Sequence, residues 1–139
     1  MSGMTLRLIL MRGNDVLWEI PLFTDRWPKD DLDEELEGLE TEFDRLSEVF
    51  DALSHKNRLM IMKSLLEEEG STLSFSALMR ELNMNPKTVR ESTRKLREGG
   101  LLRQPERGKY ECPRAGQASF LSLTLTLKHL LQALENEEP

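Results

Sequence analysis

Lys87, Arg90, Arg94, Lys95 and Arg97 crowd the short stretch ELNMNPKTVRESTRKLREGGLL, residues 81–102. Spacings of three and four place several of these cations on one face of a helix. Such a face could grip a polyanion, because Lys and Arg neutralise phosphates and Arg can also read base edges. It could equally be an ordinary solvated surface. The chain as a whole does not favour polyanions, with a net charge of -6 and a pI near 5.1. The charge is divided, however. Residues 30–51 hold eleven acidic residues and one basic residue, a net -10, whereas residues 87–114 hold nine basic and four acidic residues, a net +5. A ligand responds to the local field of the face it meets, not to the pI.

The elements that must hold this stretch are legible in outline. Asn85 is a good N-cap and Pro86 suits the first helical position, so a helix is expected from 86 to 98, stopped by Gly99-Gly100. Val89 and Leu96 point inward with Thr93 between them, which leaves Lys87, Thr88, Arg90, Glu91 and Arg94 outward. Upstream, Ser54-His55-Lys56-Asn57 leads into a helix over 58–68 with Leu59, Met62, Leu65 and Leu66 inside. Residues 72–75 read as a short strand, and Ser76 can cap a helix through Leu82. Downstream, residues 101–104 and 109–112 read as strands around a Pro105-Glu106-Arg107-Gly108 turn, with Arg107 and Lys109 at its tip. Helix, strand, helix, tight turn, helix and hairpin in this order make a helix-turn-helix followed by a β-wing. In such motifs the second helix lies in the major groove.

The flanks are unlike this core. Residues 4–23 read as two strands about a turn near Gly13-Asn14. That turn puts Leu6, Leu8, Leu10 and Leu17 on one face and Ile9, Met11, Val16, Trp18, Ile20 and Leu22 on the other. A lone hairpin is marginal in water, so it must pack on its own domain or on a second copy. Leu32, Leu36, Leu39, Phe43, Leu46, Phe50 and Leu53 then follow a heptad seam along an acidic helix. Glu35, Glu40 and Glu42 beside that seam disfavour a parallel homodimeric zipper. Residues 115–135 contain the alternating SLTLTL, yet Phe120, Leu123, Leu127, Leu130 and Leu134 recur at helical spacing, and one long helix is expected. The seams at Leu32, Leu36, Leu39, Phe43 and Leu46 and at Phe120, Leu123, Leu127, Leu130 and Leu134 are the candidate dimer surfaces. The expected fold is mainly α with a small β part. Its parts are an N-terminal hairpin extension (1–28), an acidic heptad helix (29–53), a winged helix-turn-helix (54–114) and a C-terminal helix (115–139).

Other chemistries find little support. No nucleophile–base motif or Gly-rich phosphate loop occurs, so no enzyme is expected. The seven Met residues read as core filling. Cys112 is the only cysteine, which excludes an intrachain disulfide, and a small buried strand residue is expected there. The apolar start lacks a basic leader and a convincing cleavage site, and no apolar run approaches a membrane span. A cytoplasmic chain without a membrane partner is expected.

The segment AL-SHKNRLMIMKSLL, with TLSFSALMRELNMNPKTVRESTRKLREGGLL after it, resembles the ArsR-type winged-helix regulators over residues 47–135. Ala52, Leu53, Ser54, Arg58, Leu59, Leu82, Thr88, Val89, Leu96, Arg97, Glu98, Gly100 and Leu101 carry the resemblance. It implies a homodimeric, sequence-specific regulator that binds double-stranded DNA, with terminal helices forming the dimer. Groove contacts then fall to Lys87, Thr88, Arg90, Glu91 and Arg94, and wing contacts to Arg107 and Lys109. Two departures stand out. Ser92 and Thr93 are polar where the family often has His and Leu, which puts base readout at those positions in question. The stretch SALMRELNMN lacks the family's metal-sensing cysteines, and His55 and His129 are isolated, so no metal or other cofactor is expected. The competing reading is a protein-interaction module on the same frame, using the acidic helix and hairpin to hold a basic protein partner.

Overall fold

The computed structural model describes residues 5–137. The expected first strand reached back to Met4, which lies outside the described residues, as do residues 1–3 and 138–139. The chain divides into two compact units after Phe43.

The first unit contains an antiparallel hairpin and a helix. Strands β1 (Arg7–Arg12) and β2 (Asp15–Pro21) meet at a turn in which Gly13 has φ +59°, a left-handed conformation that glycine adopts without strain. Near the turn the pairing is Arg12 with Asp15 and Met11 with Val16. Beyond it, Leu10 pairs with Trp18 and Leu8 with Ile20. One extra residue in β2 therefore shifts the register, as a β-bulge does. A slip of one residue exchanges the faces. Trp18 and Ile20 thus join Leu8 and Leu10, where the uninterrupted pairing had placed them with Ile9 and Met11. Trp27 Nε1 donates to the carbonyl of Pro21 at 2.8 Å, tying the end of β2 to the start of α1 (Lys29–Glu40).

The expected single seam over 32–53 is two helices. Helix α1 ends at Glu40, and α2 runs Phe43–Ala52. Thr41 Oγ1 donates to the carbonyl of Gly38 at 2.7 Å, and Glu42 N donates to that of Leu39 at 2.9 Å. These local bonds satisfy the carbonyls that end α1 and replace the continuing helical ladder. The apolar spacing runs straight through this break, so periodicity alone cannot reveal it.

The second unit holds the core. It comprises helices α3 (Lys56–Glu67), α4 (Phe75–Leu82), α5 (Pro86–Glu98) and α6 (Arg114–Glu137) and a sheet ordered β3-β5-β4, from β3 (Thr72–Ser74), β4 (Arg103–Glu106) and β5 (Lys109–Glu111). Ile61, Met62, Leu65, Leu78, Val89, Leu96 and Leu101 are fully buried. Arg58 is buried too, and it has a purpose there. Its Nε donates to the carbonyl of Ala52 at 2.8 Å and its Nη2 to that of Asp51 at 2.9 Å. The guanidinium thereby satisfies the open C-terminal carbonyls of α2, where a cation is also favoured by the helix dipole. The long α6 runs through SLTLTL without interruption, as the spacing from Phe120 to Leu134 indicated.

Cys112 is buried at 1% exposure. Burial, and secondarily the neighbouring Glu111 carboxylate, pushes its thiol up to about 11. The folded value lies above the ordinary 9.0, so the stability tied to the neutral thiol is complete below about pH 9 and is lost as pH rises through about 11. Iodoacetamide at pH 8 is therefore expected to alkylate the folded chain far more slowly than the urea-unfolded chain. Equal rates in the two states would contradict this burial.

Candidate nucleic-acid interface

Helix α5 is fixed at its start by Asn85, whose Oδ1 accepts from Thr88 N at 2.8 Å, with Pro86 in the first turn. The turn before it is held by Asn83, which adopts the left-handed region at φ 52° and closes α4. Helix α4 is capped by Ser74, not by Ser76: the Ser74 hydroxyl accepts from Ala77 N at 3.0 Å. The two helices are therefore set by side chains at their own ends.

The two faces of α5 are complementary. Val89, Ser92, Thr93 and Leu96 are buried, at i, i+3, i+4 and i+7. Lys87, Arg90, Glu91 and Arg94 occupy the same spacing on the exposed side, with Thr88 half-buried at the edge. Ser92 joins the inward-facing Thr93 in the buried stripe. Thr93 Oγ1 donates to the carbonyls of Val89 at 2.8 Å and Arg90 at 3.2 Å, so its hydroxyl is satisfied within the helix. Neither residue stands on the outward face.

The cations are not equivalent. Arg94 pairs with Glu98 at 3.0 Å, Lys95 with Asp51 at 3.3 Å and Lys109 with Glu106 at 3.2 Å. Arg97 donates to Gln104 Oε1 at 3.2 Å, and Arg103 pairs with Glu111. Among the described residues, Lys87, Arg90 and Arg107 have no carboxylate partner and are exposed. The Arg90 guanidinium lies 5.9 Å from the centre of the Phe75 ring, a cation–π arrangement that orients it without cancelling its charge. Phe75 was absent from the sequence-derived candidates. Fifteen positions separate it from Arg90, and no local pattern marks the pair.

The wing is narrower than expected. Strand β4 extends through Pro105 and Glu106, which leaves Arg107 and Gly108 at the turn, with Gly108 at φ +77°. Phe75 N donates to the carbonyl of Gly108 at 2.8 Å, and Leu73 pairs with Tyr110, both buried. The hairpin is thus anchored to the start of α4, and Arg107 is carried on a supported tip.

Residues 55–104 match the family model described as bacterial regulatory protein, arsR family. The matched residues run from the start of α3 to the start of β4 and are similar to that family. Solved structures share the architecture. YusO from Bacillus subtilis is similar with a TM-score of 0.52 and 14% identity, over 81% of this chain and 87% of that one. Sco5413, a MarR family transcriptional regulator from Streptomyces coelicolor, gives a TM-score of 0.51 and 16% identity, over 78% and 82%. Mb0332 from Mycobacterium bovis, a homodimeric winged helix-turn-helix DNA-binding domain and possible ArsR-family regulator, gives 0.49 and 24%, over 71% and 85%. No curated protein matches the chain. In this winged helix-turn-helix fold, α4 and α5 are the helix-turn-helix and β4–β5 the wing. Among the described residues, no cluster of His, Cys, Asp and Glu could hold a metal ion, and no helix is long and apolar enough to cross a membrane.

Proposed function

We propose that this chain is a sequence-specific double-stranded DNA-binding transcription regulator that acts as a homodimer. The observation that carries the reading is the outward face of α5, where Lys87 and Arg90 stand uncompensated opposite a buried stripe, together with Arg107 on an anchored wing. Helix α5 enters the major groove. Lys87 and Arg94 hold phosphates, Thr88 and Arg90 reach base edges, and Glu91 accepts from cytosine N4. Arg107 and Lys109 meet the backbone or the minor groove.

A second copy answers a problem of burial. Helix α6 carries several leucines that its own unit leaves exposed. Leu121, Leu125, Leu127 and Leu131 are 42–51% exposed. Phe50, Leu53, Leu59, Leu123, Leu127 and Leu131 line an open apolar groove of about 470 Å³ within the second unit. Phe120, Leu123, Leu130 and Leu134 are half-buried beside these positions. Pairing of α6 between copies would cover this surface and set two α5 helices in register with two half-sites. Leu32, Leu36, Leu39, Phe43 and Leu46 are the other candidates for a contact between copies, and like charge along the acidic α1 disfavours the part of that seam on α1.

Salt dependence tests the phosphate contacts. Binding of a labelled duplex is expected to fall linearly in a plot of log affinity against log salt, and Arg107→Ala to reduce the slope by about one. A slope unchanged by the substitution would remove the wing from the interface. The exposed hairpin and the acidic α1 favour a second reading, a module that docks a basic protein partner. A pull-down with and without residues 29–50 tests that reading, and unchanged partners on deletion would count against it.

A further inference from the structure

The first unit contains a cavity that duplex binding does not use. It has about 380 Å³ and is walled by Trp18, Ile20, Trp27, Leu32, Leu36 and Leu39, with Glu35 at its edge. A contiguous recess of about 310 Å³ shares Trp18, Trp27 and Glu35 and adds Asp31 and Glu34. Its walls follow from two features already described. Strand alternation puts Trp18 and Ile20 on one face, the bulge sets that face beside Leu8 and Leu10, and the Trp27–Pro21 hydrogen bond ties the second indole to the end of the same strand. Along α1, Leu32, Leu36 and Leu39 form one stripe. Asp31, Glu34 and Glu35 stand at i, i+3 and i+4 along its border.

The charge pattern selects the occupant. Lys29 on the same helix pairs with Asp33 at 3.2 Å, and not with the carboxylates at the cavity. Asp31, Glu34 and Glu35 have no ion-pair partner among the described residues. Asp31 lies in the first turn of α1 and is partly offset by the helix dipole; Glu34 and Glu35 are not. Two indole faces, an aliphatic floor and two uncompensated carboxylates combine what an organic cation with apolar substituents needs. Aromatic faces attract the charge, carboxylates complement it, and the leucines take the substituents. An anion would meet like charge, and a second acidic α1 would bring more of it.

We infer that the Trp18–Trp27 cavity binds a hydrophobic organic cation. This inference stands apart from duplex binding and survives or fails without it. Trp18 and Trp27 are the only tryptophans in the chain, so intrinsic emission reports on this site alone. The test titrates the full chain with tetraphenylphosphonium and, separately, with tetraphenylborate, which has the same shape and the opposite charge. Saturable quenching by the phosphonium and none by the borate is expected. Glu34→Gln with Glu35→Gln is expected to weaken phosphonium binding about tenfold. Both positions are exposed, and an unchanged circular dichroism spectrum would show the fold intact. Equal binding of the borate, an unchanged double variant, or no saturation would overturn the inference. So would an emission shift that depends on protein concentration and ignores the phosphonium, since a second copy would then cover this face.

Discussion

Gly116→Ala is expected to destabilise the second unit by about 3 kcal/mol. Gly116 is buried in the first turn of α6. A Cβ there would stand 2.3 Å from the carbonyl oxygen of Leu101, 3.0 Å from its carbonyl carbon and 3.2 Å from Cys112 Sγ. The nearest obstacle is backbone, so no side-chain rotation relieves the clash. The Leu101 segment is itself pinned, since Leu101 N donates to the carbonyl of Leu96 at 2.9 Å and its side chain is fully buried. Helix α6 must therefore lift from the end of α5. A urea titration should show a lower midpoint with the slope retained, and an unshifted midpoint would mean that α6 does not approach Leu101 this closely.

Arg90→Ala is expected to weaken binding to a specific duplex by roughly 5- to 150-fold, the range of about 1–3 kcal/mol for a lost base contact. It should also relax the preference at one position of the site. Lys87→Ala should weaken binding to all duplexes alike, as loss of a phosphate contact does. Arg94→Ala should cost less than Arg90→Ala, because Arg94 must first leave Glu98, its partner at 3.0 Å. All three side chains are exposed, so the variants should retain the wild-type unfolding midpoint. Fluorescence anisotropy across the series measures the ranking. If Arg94→Ala proved the most damaging and Arg90→Ala silent, the assignment of roles along α5 would be wrong.

Local chemistry made much of this readable in advance. Asn85 and Pro86 announce α5 because capping and φ restriction act within a few residues. The buried stripe at Val89, Thr93 and Leu96 follows from periodicity. What escaped depends on geometry between distant positions. The bulge that moves Trp18 and Ile20 to the other face leaves the alternation of β2 intact. The break at Thr41 falls between apolar residues whose heptad spacing never falters. The burial of Ser92 runs against its polarity, while for the inward Thr93 the hydroxyl bonds to Val89 and Arg90 show how its polarity is satisfied. Phe75 beneath Arg90 and Leu101 against Gly116 are contacts that only the folded chain creates.

The most direct test of the central claim is a selection from random duplexes with the purified full chain at low salt. A dimeric reader predicts an enriched site with two half-sites about one helical turn apart, and loss of that enrichment in the Lys87→Ala, Arg90→Ala double variant. Failure to bind any duplex at low salt would contradict it and leave the basic face of α5 as solvated surface.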